Sequence, residues 1–503
     1  MRAVLCLFDS LNLRALSCYG GSVPTPNFDR LAGRTTVFDN HFVGSMPCMP
    51  ARRDLQTGRL NFLHRSWGPL EPFDVTLTGL LASTGVHSHL VTDHYHYFRA
   101  GGATYHNAFT TWAFVRGQEA DPWAATVALP LDRYRRDYAA DQVEVERTGF
   151  RLQNMLNRDR IGATPEFPCV QTFDAGLAFL NENRGADGWF LQLETFDPHE
   201  PFHAPPEFRE RFPTNYAGPI RDWPRYRRAG QETPDETAEM RANYAALVAL
   251  CDAQLGRLLD AFDRHGLWDD TALIVTTDHG FLLGEHDWWG KNRMPFYNEI
   301  AHIPLMIHAP GRRGAPHAGA LSQNIDVMAT LLDLFGIERP ETVHGRSLLP
   351  AMTGGAGRDI ALYGIFGGAI NVTDGWHSYF RYPARMEDRA LFEYTLMPQH
   401  ANTAFTCAEL RAATLHPGFG FTGGAPVLKI PAAPDARRPP MQGGGFEDTE
   451  TVLYDVAADP GQTRPVDAPE TEARFLAAIA AEMARHEAPP ELYARFDIAE
   501  AAA

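Results

Sequence analysis

Short β-rich apolar runs alternate along the chain with longer stretches in which apolar residues recur at helical spacing. The runs are Ala3–Phe8, His89–Thr92, Trp189–Glu194, Ala272–Thr277 and Ile303–His308. Helical spacing is read over Pro26–Gly33, Thr76–Thr84, Phe173–Asn183, Thr237–His265 and Ile325–Phe335. The longest of these carries Ala, Leu and Met on a helical period and ends near Gly266, a residue suited to a C-cap. Such an alternation predicts an α/β fold, a large parallel or mixed sheet covered by helices.

After about residue 358 the pattern changes. Ala361–Phe366 and Trp376–Tyr382 read as strands of a smaller sheet. A Gly/Pro-rich insert, about 416–446, carries no pattern that predicts regular structure. Thr451–Tyr454 then reads as a short strand and Glu470–His486 as an Ala-rich amphipathic helix. The chain thus divides into a large α/β domain, 1–358, and a smaller C-terminal α+β domain, 359–503, with the insert near a site or a subunit contact. No internal repeat is visible.

The residues just beyond each strand carry the chemistry. Asp9 comes after the first run, Asp93-His94-Tyr95-His96 after the second, Asp197-Pro198-His199 after the third and Asp278-His279-Gly280 after the fourth. Ligands of open α/β sheets bind beyond the carboxyl ends of the strands, so polar residues at four such ends can converge on one site. Asp278 and His279 with Asp9 make a divalent-cation site. Oxygen-rich ligation suits Ca²⁺, Mg²⁺ or Mn²⁺, and the histidine tilts the choice toward Mn²⁺. Taken alone, Asp-His-Gly is equally what a strand-ending turn contains.

Composition narrows the partners. Among 503 residues, 44% are hydrophobic and 21% charged, as in an ordinary globular protein, and the net charge is −17. That charge argues against nucleic acid as a general partner, though local arginine, lysine and metal can still hold a small anion. The start, Met-Arg-Ala-Val-Leu-Cys-Leu-Phe-Asp, lacks the apolar stretch of a secretory signal. No run reaches the roughly 18 apolar residues of a membrane span. Six scattered cysteines without CxxC spacing suggest reduced thiols and a cytoplasmic location.

One cysteine stands apart. Cys48-Met49-Pro50-Ala51-Arg52 is followed four residues later by Thr57-Gly58-Arg59. A lone cysteine is usually a small buried hydrophobe, but this one sits among prolines, arginines and a Thr-Gly turn. Arg52 would lower a nearby thiol pKa or hold an anion. The residues by themselves indicate an anion site with a reactive cysteine.

The pattern Cys-x-Pro-x-Arg-x-x-x-x-Thr-Gly resembles the signature of type I sulfatases, the formylglycine-dependent members of the alkaline phosphatase superfamily. Asp9-Ser10-Leu11, Cys18-Tyr19-Gly20 and Thr25-Pro26-Asn27-Phe28-Asp29-Arg30-Leu31 resemble the family's N-terminal block. Asp197-Pro198-His199-Glu200-Pro201-Phe202 is similar to its central segment. Asp278-His279-Gly280, Gly284-Glu285-His286 and Gly290-Lys291 are similar to its second metal and anion-binding block, and Leu453-Tyr454-Asp455 with Asp459-Pro460 to its closing strand. The likeness runs through most of the chain in order, the Gly/Pro insert excepted.

The resemblance implies an arylsulfatase-like hydrolysis of sulfate monoesters. Cys48 would be oxidised to Cα-formylglycine by a formylglycine-generating or anaerobic sulfatase-maturing enzyme. Its hydrated aldehyde would attack sulfur, expel the alcohol, and release sulfate as the aldehyde re-forms. Asp9, modified Cys48, Asp278 and His279 would ligate one Ca²⁺ or Mn²⁺. Arg52 would orient the formylglycine, Lys291 and His199 would hold the sulfate and protonate the leaving group, and His96 would hydrogen-bond formylglycine or sulfate. His94 lies near the family's usual lysine position, as a further substrate-binding candidate. His203, His286 and Arg293 are lesser candidates for the pocket wall, and Trp67, Trp112, Trp123, Trp288, Trp289, Tyr95 and Tyr105 for ring stacking. By analogy the insert and C-terminal helix would support a homo-oligomer, a dimer.

Two departures point to a neighbouring branch. The family commonly has Asp-Asp after the first strand, where this chain has Asp9-Ser10, and its usual second-strand lysine is replaced within Asp93-His94-Tyr95-His96. Both features resemble the phosphonate monoester hydrolases, which use the same formylglycine on phosphonate monoesters and phosphodiesters and are promiscuous toward sulfate esters. Phosphonate or phosphodiester hydrolysis is therefore the alternative activity, and a non-hydrolytic relative a remote one.

Overall fold

A computed structural model of the chain describes residues 1–143, 149–312, 314–386, 390–432 and 445–499. Its main sheet contains β1 (Arg2–Phe8), β2 (Thr36–Phe38), β3 (His87–Thr92), β4 (Thr111–Phe114), β5 (Trp189–Thr195), β6 (Thr271–Thr277), β7 (Leu305–His308) and β8 (His317–Ala318). The strand order is β8-β2-β7-β6-β1-β5-β3-β4. From β6 to β4 every pairing is parallel, and β7 turns antiparallel to β6 and β2. The mixed sheet anticipated from the apolar runs is present, with β2, β4 and β8 added as short strands that the runs did not reveal.

Six helices cover the sheet: α1 (Pro26–Ala32), α2 (Cys48–Thr57), α3 (Leu77–Ser83), α4 (Pro168–Glu182), α5 (Pro234–His265) and α6 (Asp326–Leu334). The pleat of β1 sorts them. Val4, Cys6 and Phe8 point into one buried cluster with Phe28 of α1, Phe173 of α4 and Leu247 and Leu255 of α5. Ala3, Leu5 and Leu7 point the other way, toward Met49 and Leu55 of α2, Leu81 of α3 and Leu331 of α6. Because successive strand side chains face opposite sides, an unbroken apolar β1 serves two cores at once. Deleting one such side chain, as in Leu5→Ala, costs about 2–5 kcal/mol. The long α5 starts with a capping box, Thr233 with Glu236, and stops at Gly266, whose φ of 65° is left-handed.

The Cys48 segment, read from sequence as a turn, is the first turn of a helix. Its ten residues are all buried, and Gly58 closes it with φ 60°. A Cβ there would stand 2.6 Å from Val343 Cγ1, so the Gly of the Thr-Gly pair is demanded twice, by backbone and by space. Asp54 ties the helix to the preceding strand by accepting from Ser45 N (2.5 Å) and Ser45 Oγ (2.8 Å).

That preceding strand, Ser45–Met46, joins the smaller sheet, pairing in parallel with Ala361–Ile365; Ile370–Thr373, His377–Arg381 and Val452–Asp455 complete it. Helix Pro469–Arg485 packs Phe475, Ile479 and Met483 on its apolar face, together with Leu60, Phe62 and Leu63 from the segment after α2. Part of the insert, about 416–446, is regular after all: Val427–Pro431 pairs with Phe392–Thr395 and Thr414–His416. Cross-strand pairing, rather than local propensity, orders it; 433–444 lie outside the described residues. No helix among the described residues is long and apolar enough to cross a membrane.

Candidate active site

The carboxyl ends of β1, β3, β5 and β6 open on the same side as the N-terminus of α2. There Asp9, Cys48, Asp278 and His279 bring one ligand atom each within 4.8 Å of one another, all buried. Cys48 Sγ lies 3.4 Å from His279 Nε2 and 4.0 Å from Asp9 Oδ1. His279 Nδ1 is 3.1 Å from the Gly280 carbonyl, which as a pure acceptor fixes the proton on Nδ1 and leaves Nε2 free to ligate.

The turn that carries Asp9 is strained. Ser10 has φ 60°, a left-handed conformation uncommon outside glycine and asparagine. Three bonds hold it: Ser10 N donates to Asp278 Oδ1 (3.0 Å), Tyr244 Oη donates to Ser10 O (2.9 Å), and Ser10 Oγ donates to Asp9 Oδ1 (2.8 Å). Ser10 Oγ also accepts from Lys291 Nζ at 2.9 Å, so it couples the ammonium to the ligand carboxylate. A hydroxyl thus stands beside Lys291, whose Nζ lies 3.8 Å from Cys48 Sγ.

Arg52 is 1% exposed and reaches three carboxylates. Its Nη2 donates to Asp9 Oδ2 (2.8 Å), its Nε to Glu194 Oε1 (3.0 Å), and Nη1 to Asp278 Oδ2 and to Cys48 O (3.0 Å). Cys48 and Arg52 are one helical turn apart, which is why the four-residue spacing of the motif matters. Burial works against an ionised Asp9, yet Arg52, His199, His94 and Lys291 hold its carboxyl well below the usual range. Burial likewise opposes the Lys291 ammonium, and the negative charge around it, from Cys48, Glu200, Asp9 and Asp278, raises its pKa. Burial and Asp9 push the Cys48 thiol up. His94, His199 and His279 are pushed down, each chiefly by burial, His94 and His279 to about 4.

The sequence-derived residues fall into two groups. Cys48, His96, His199 and Lys291 line a narrow cleft of about 20 Å³. Asp9, Arg52, Asp278 and His279 lie at its buried end. His94 stands beside Asp9, Nε2 to Oδ2 3.0 Å, and does not line the cleft. His203 packs on Phe167, His286 stacks on Tyr297 and bonds Glu299, and Arg293 bonds Tyr226 O and Glu447; none of them lines it. Of the ring candidates only Trp67 does; Trp112 is 45% exposed, and Tyr105 is buried against Met49 O.

Sequence reasoning missed Glu119, Phe150, Trp223, Tyr226 and Asn292 on the cleft wall, and Glu194 behind Arg52. Glu119 and Trp223 lie in loops without a motif. Glu194 lies one residue before the end of β5 and closes the apolar run Trp189–Glu194, whose lone acid was the available signal.

Can these residues hold a dication? The donor set is two carboxylates, an imidazole and position 48, where three carboxylates face the two permanently charged side chains Arg52 and Lys291 among the described residues. Converging buried anions with incomplete cationic compensation fit a divalent metal.

Comparison with known proteins agrees. The sulfatase family model matches residues 2–337. The multifunctional alkaline phosphatase superfamily protein PehA of Trinickia caryophylli is 30% identical over 393 residues, covering 67% of this chain and 72% of that protein. The N-acetylglucosamine-6-O-sulfatase of Bacteroides thetaiotaomicron is 24% identical over 407 residues, covering 69% and 70%. Among solved structures, the phosphonate monoester hydrolase of Agrobacterium radiobacter superposes with a TM-score of 0.64 at 20% identity, over 96% of each chain. With its motif on the first turn of α2 and Asp9, Asp278 and His279 beyond the strand ends, the chain belongs to the sulfatase family.

Proposed function

We propose that the protein hydrolyses sulfate monoesters with a formylglycine nucleophile made from Cys48, at a one-metal site formed by Asp9, Cys48, Asp278 and His279. The observation that carries this reading is the convergence of those four ligand atoms within 4.8 Å, with the Lys291 ammonium 3.8 Å from Sγ. When bound, Ca²⁺ or Mn²⁺ would act as Lewis acid and lower the pKa of the nucleophile.

The chain's own residues do the rest. Arg52 neutralises and orients Asp9, Asp278 and Glu194, and by bonding Cys48 O it fixes the backbone that presents the nucleophile. Lys291 offers its ammonium to an ester oxygen. His199 and His96 face the same cleft; burial lowers the pKa of each, so His199 would serve as proton donor to the departing oxygen only with the negative charge of a bound ester beside it to restore its proton. Cys48 is 2% exposed, so its maturation enzyme must act before α2 packs.

A second reading, phosphonate or phosphodiester hydrolysis, is favoured by Ser10 in place of a second acid and by the likeness in fold to phosphonate monoester hydrolases. Enzyme with a confirmed aldehyde at position 48 should be assayed with an aryl sulfate, a phenyl phosphonate ester and a phosphodiester. A kcat/KM for phosphonate exceeding that for sulfate by orders of magnitude would replace the first reading with the second.

A further inference from the structure

The loop that leaves β4 reaches back to the ends of β3 and β5. Gln118 Nε2 lies 3.1 Å from Asp93 Oδ2 and 3.1 Å from Asp197 Oδ1, so one amide nitrogen gives each of its two hydrogens to a different carboxyl. Asp93 is the first residue after β3 and Asp197 the second after β5. Both are buried, at 0% and 3% exposure.

Both aspartates lead to His199. Asp93 Oδ1 accepts from Phe196 N (2.7 Å), and the His199 ring lies against the Phe196 ring with centroids 4.1 Å apart. Asp197 comes two residues before His199, in a turn closed by His199 N donating to Phe196 O (3.0 Å). His199 Nδ1 is 2.5 Å from Glu200 O, an acceptor that fixes a proton on Nδ1. Nε2 is therefore the ring atom left for an ester oxygen. This imidazole lines the cleft beside Cys48 and Lys291, whereas Gln118 does not.

The two carboxyls depend on the amide. Burial and the neighbouring Asp93 push Asp197 well above the usual carboxylate range, and its bonds come from Gln118 and the Cys169 thiol. Burial pushes Asp93 up to about 7. A buried carboxyl that loses its donor keeps the whole cost of desolvation, so the pair would shift toward other donors once the amide is gone. The rear of the loop is pinned separately. Gly117 N donates to Asp121 Oδ2 (2.8 Å), and Asn157 Nδ2 donates to Glu119 O (3.1 Å) and Asp121 O (2.8 Å). Gln118 is thus anchored from behind and grips two strand ends in front.

We infer that Gln118 is the positioning residue of the His199 loop: its amide clamps the ends of β3 and β5 so that His199 Nε2 meets the departing oxygen. The inference rests on the sulfatase reading and deepens it. A displacement of about 1 Å at a reacting group costs on the order of 100-fold in rate. Proton delivery matters most where the departing oxygen is basic. A misplaced His199 therefore slows esters of basic alcohols and spares those of acidic ones.

The test is a series of aryl sulfates on aldehyde-confirmed enzyme, from 4-nitrophenyl, whose phenolate leaves without a proton, through phenyl to 4-methylphenyl. Gln118→Ala should lower kcat/KM about 10–100-fold for the phenyl and 4-methylphenyl esters and about threefold or less for the 4-nitrophenyl ester. The dependence on leaving-group basicity thus becomes steeper than in wild type. In His199→Ala it is already steep, and adding Gln118→Ala should steepen it no further. Urea midpoints establish which variants are folded. If the alanine variant is not, Gln118→Glu keeps the volume and turns an acid toward two acids, with the same steepening expected. An equal loss across the series in a folded variant would mean that the amide only stabilises the fold, and would overturn the inference. Further steepening in the His199→Ala background would overturn it as well. Either result leaves the sulfatase reading standing, whereas wild-type enzyme that turns over none of the aryl sulfates removes both.

Discussion

Glu194 touches none of the four ligand atoms directly, yet its replacement should weaken metal binding. Both of its oxygens are fully used: Oε1 accepts from Arg52 Nε (3.0 Å) and Nη2 (2.9 Å), and Oε2 from Tyr97 Oη (2.8 Å) and Gln192 Nε2 (2.8 Å). Glu194→Gln keeps the shape and removes the charge. Removing one partner of a buried ion pair costs about 3–5 kcal/mol. Arg52 retains Asp9 and Asp278, so the lower end, about 3 kcal/mol, is expected. The guanidinium is then neutralised solely by the two carboxylates a dication requires. Competition of that kind should lower metal affinity about 10–100-fold, the usual effect of losing an outer partner of a metal ligand. Urea denaturation of metal-free protein reads the first quantity; calorimetric titration with Ca²⁺ and Mn²⁺ reads the second. Tyr97→Phe removes one of the four bonds and should give a loss nearer about 1 kcal/mol. If Glu194→Gln binds metal as tightly as wild type, the view of Arg52 as a cation shared between Glu194 and the metal ligands is wrong.

Cys48→Ala should abolish turnover of every ester, and mass analysis should show the wild-type Cys48 peptide lightened by the exchange of CH₂SH for CHO; a fully active enzyme with unmodified cysteine refutes the nucleophile. Adding metal at about 100 times its Kd to chelated protein should stabilise it by about 2.7 kcal/mol, and no shift in the unfolding midpoint would remove the metal site. Acid should destabilise the junction with the C-terminal helix, where His344 Nδ1 lies 3.1 Å from His486 Nδ1 and His64 Nε2 lies 2.9 Å from Glu487 O. Burial depresses His64 and His344 to about 3 and holds His486 well below its ordinary value, with Arg59 adding to each. A depressed folded pKa means that the unfolded chain binds more protons below about pH 6.5, so stability is full above that pH and falls toward about pH 3. The slope is up to about 1.4 kcal/mol per pH unit for each histidine. Urea midpoints at about pH 7.5 and 5.5, one on each side of that reference pKa, should therefore converge in His486→Gln, and parallel losses in variant and wild type would exclude this origin.

The fold was legible where one physical signal dominated. β1 announces itself because Ala3 to Phe8 is apolar at every position, and it is so because it faces two cores. α5 was readable from its period and its Gly266 stop. By contrast β2, β4 and β8 are two to four residues long, too short for a period, and exist because neighbouring strands supply their hydrogen bonds. Val427–Pro431 is the same case within a Gly/Pro-rich stretch. The α2 segment escapes a sequence reading for another reason. Cys48-Met49-Pro50-Ala51-Arg52-Arg53-Asp54 has no apolar stripe, because all its polar residues are buried against partners: Arg52 on carboxylates, Arg53 on Asp74, Asp54 on Ser45 and Asn61. Hydrophobic periodicity cannot reveal a helix whose buried face is ionic.

The same distinction explains which site residues the sequence disclosed. Asp9, Asp278 and His279 sit immediately after strands, so the topology of an open sheet brings them together once the strands are recognised. Cys48, Arg52, His199 and Lys291 came from motif spacing, which for Cys48 and Arg52 is the pitch of one helical turn. Glu119, Phe150, Trp223 and Tyr226 answer to neither rule. Glu119, Trp223 and Tyr226 are placed by loop conformations, a left-handed glutamate among them, that depend on distant partners such as Asn157, and Phe150 opens the short helix Phe150–Arg158. Positions fixed by tertiary packing of loops rather than by a repeat or a spacing are the ones a motif cannot encode. Ser10 lies on the boundary between the two sets. It sits at a strand end, where sequence exposed it as a departure, but only the structure shows its hydroxyl bonded to both Asp9 and Lys291, with the ammonium 3.8 Å from Cys48 Sγ.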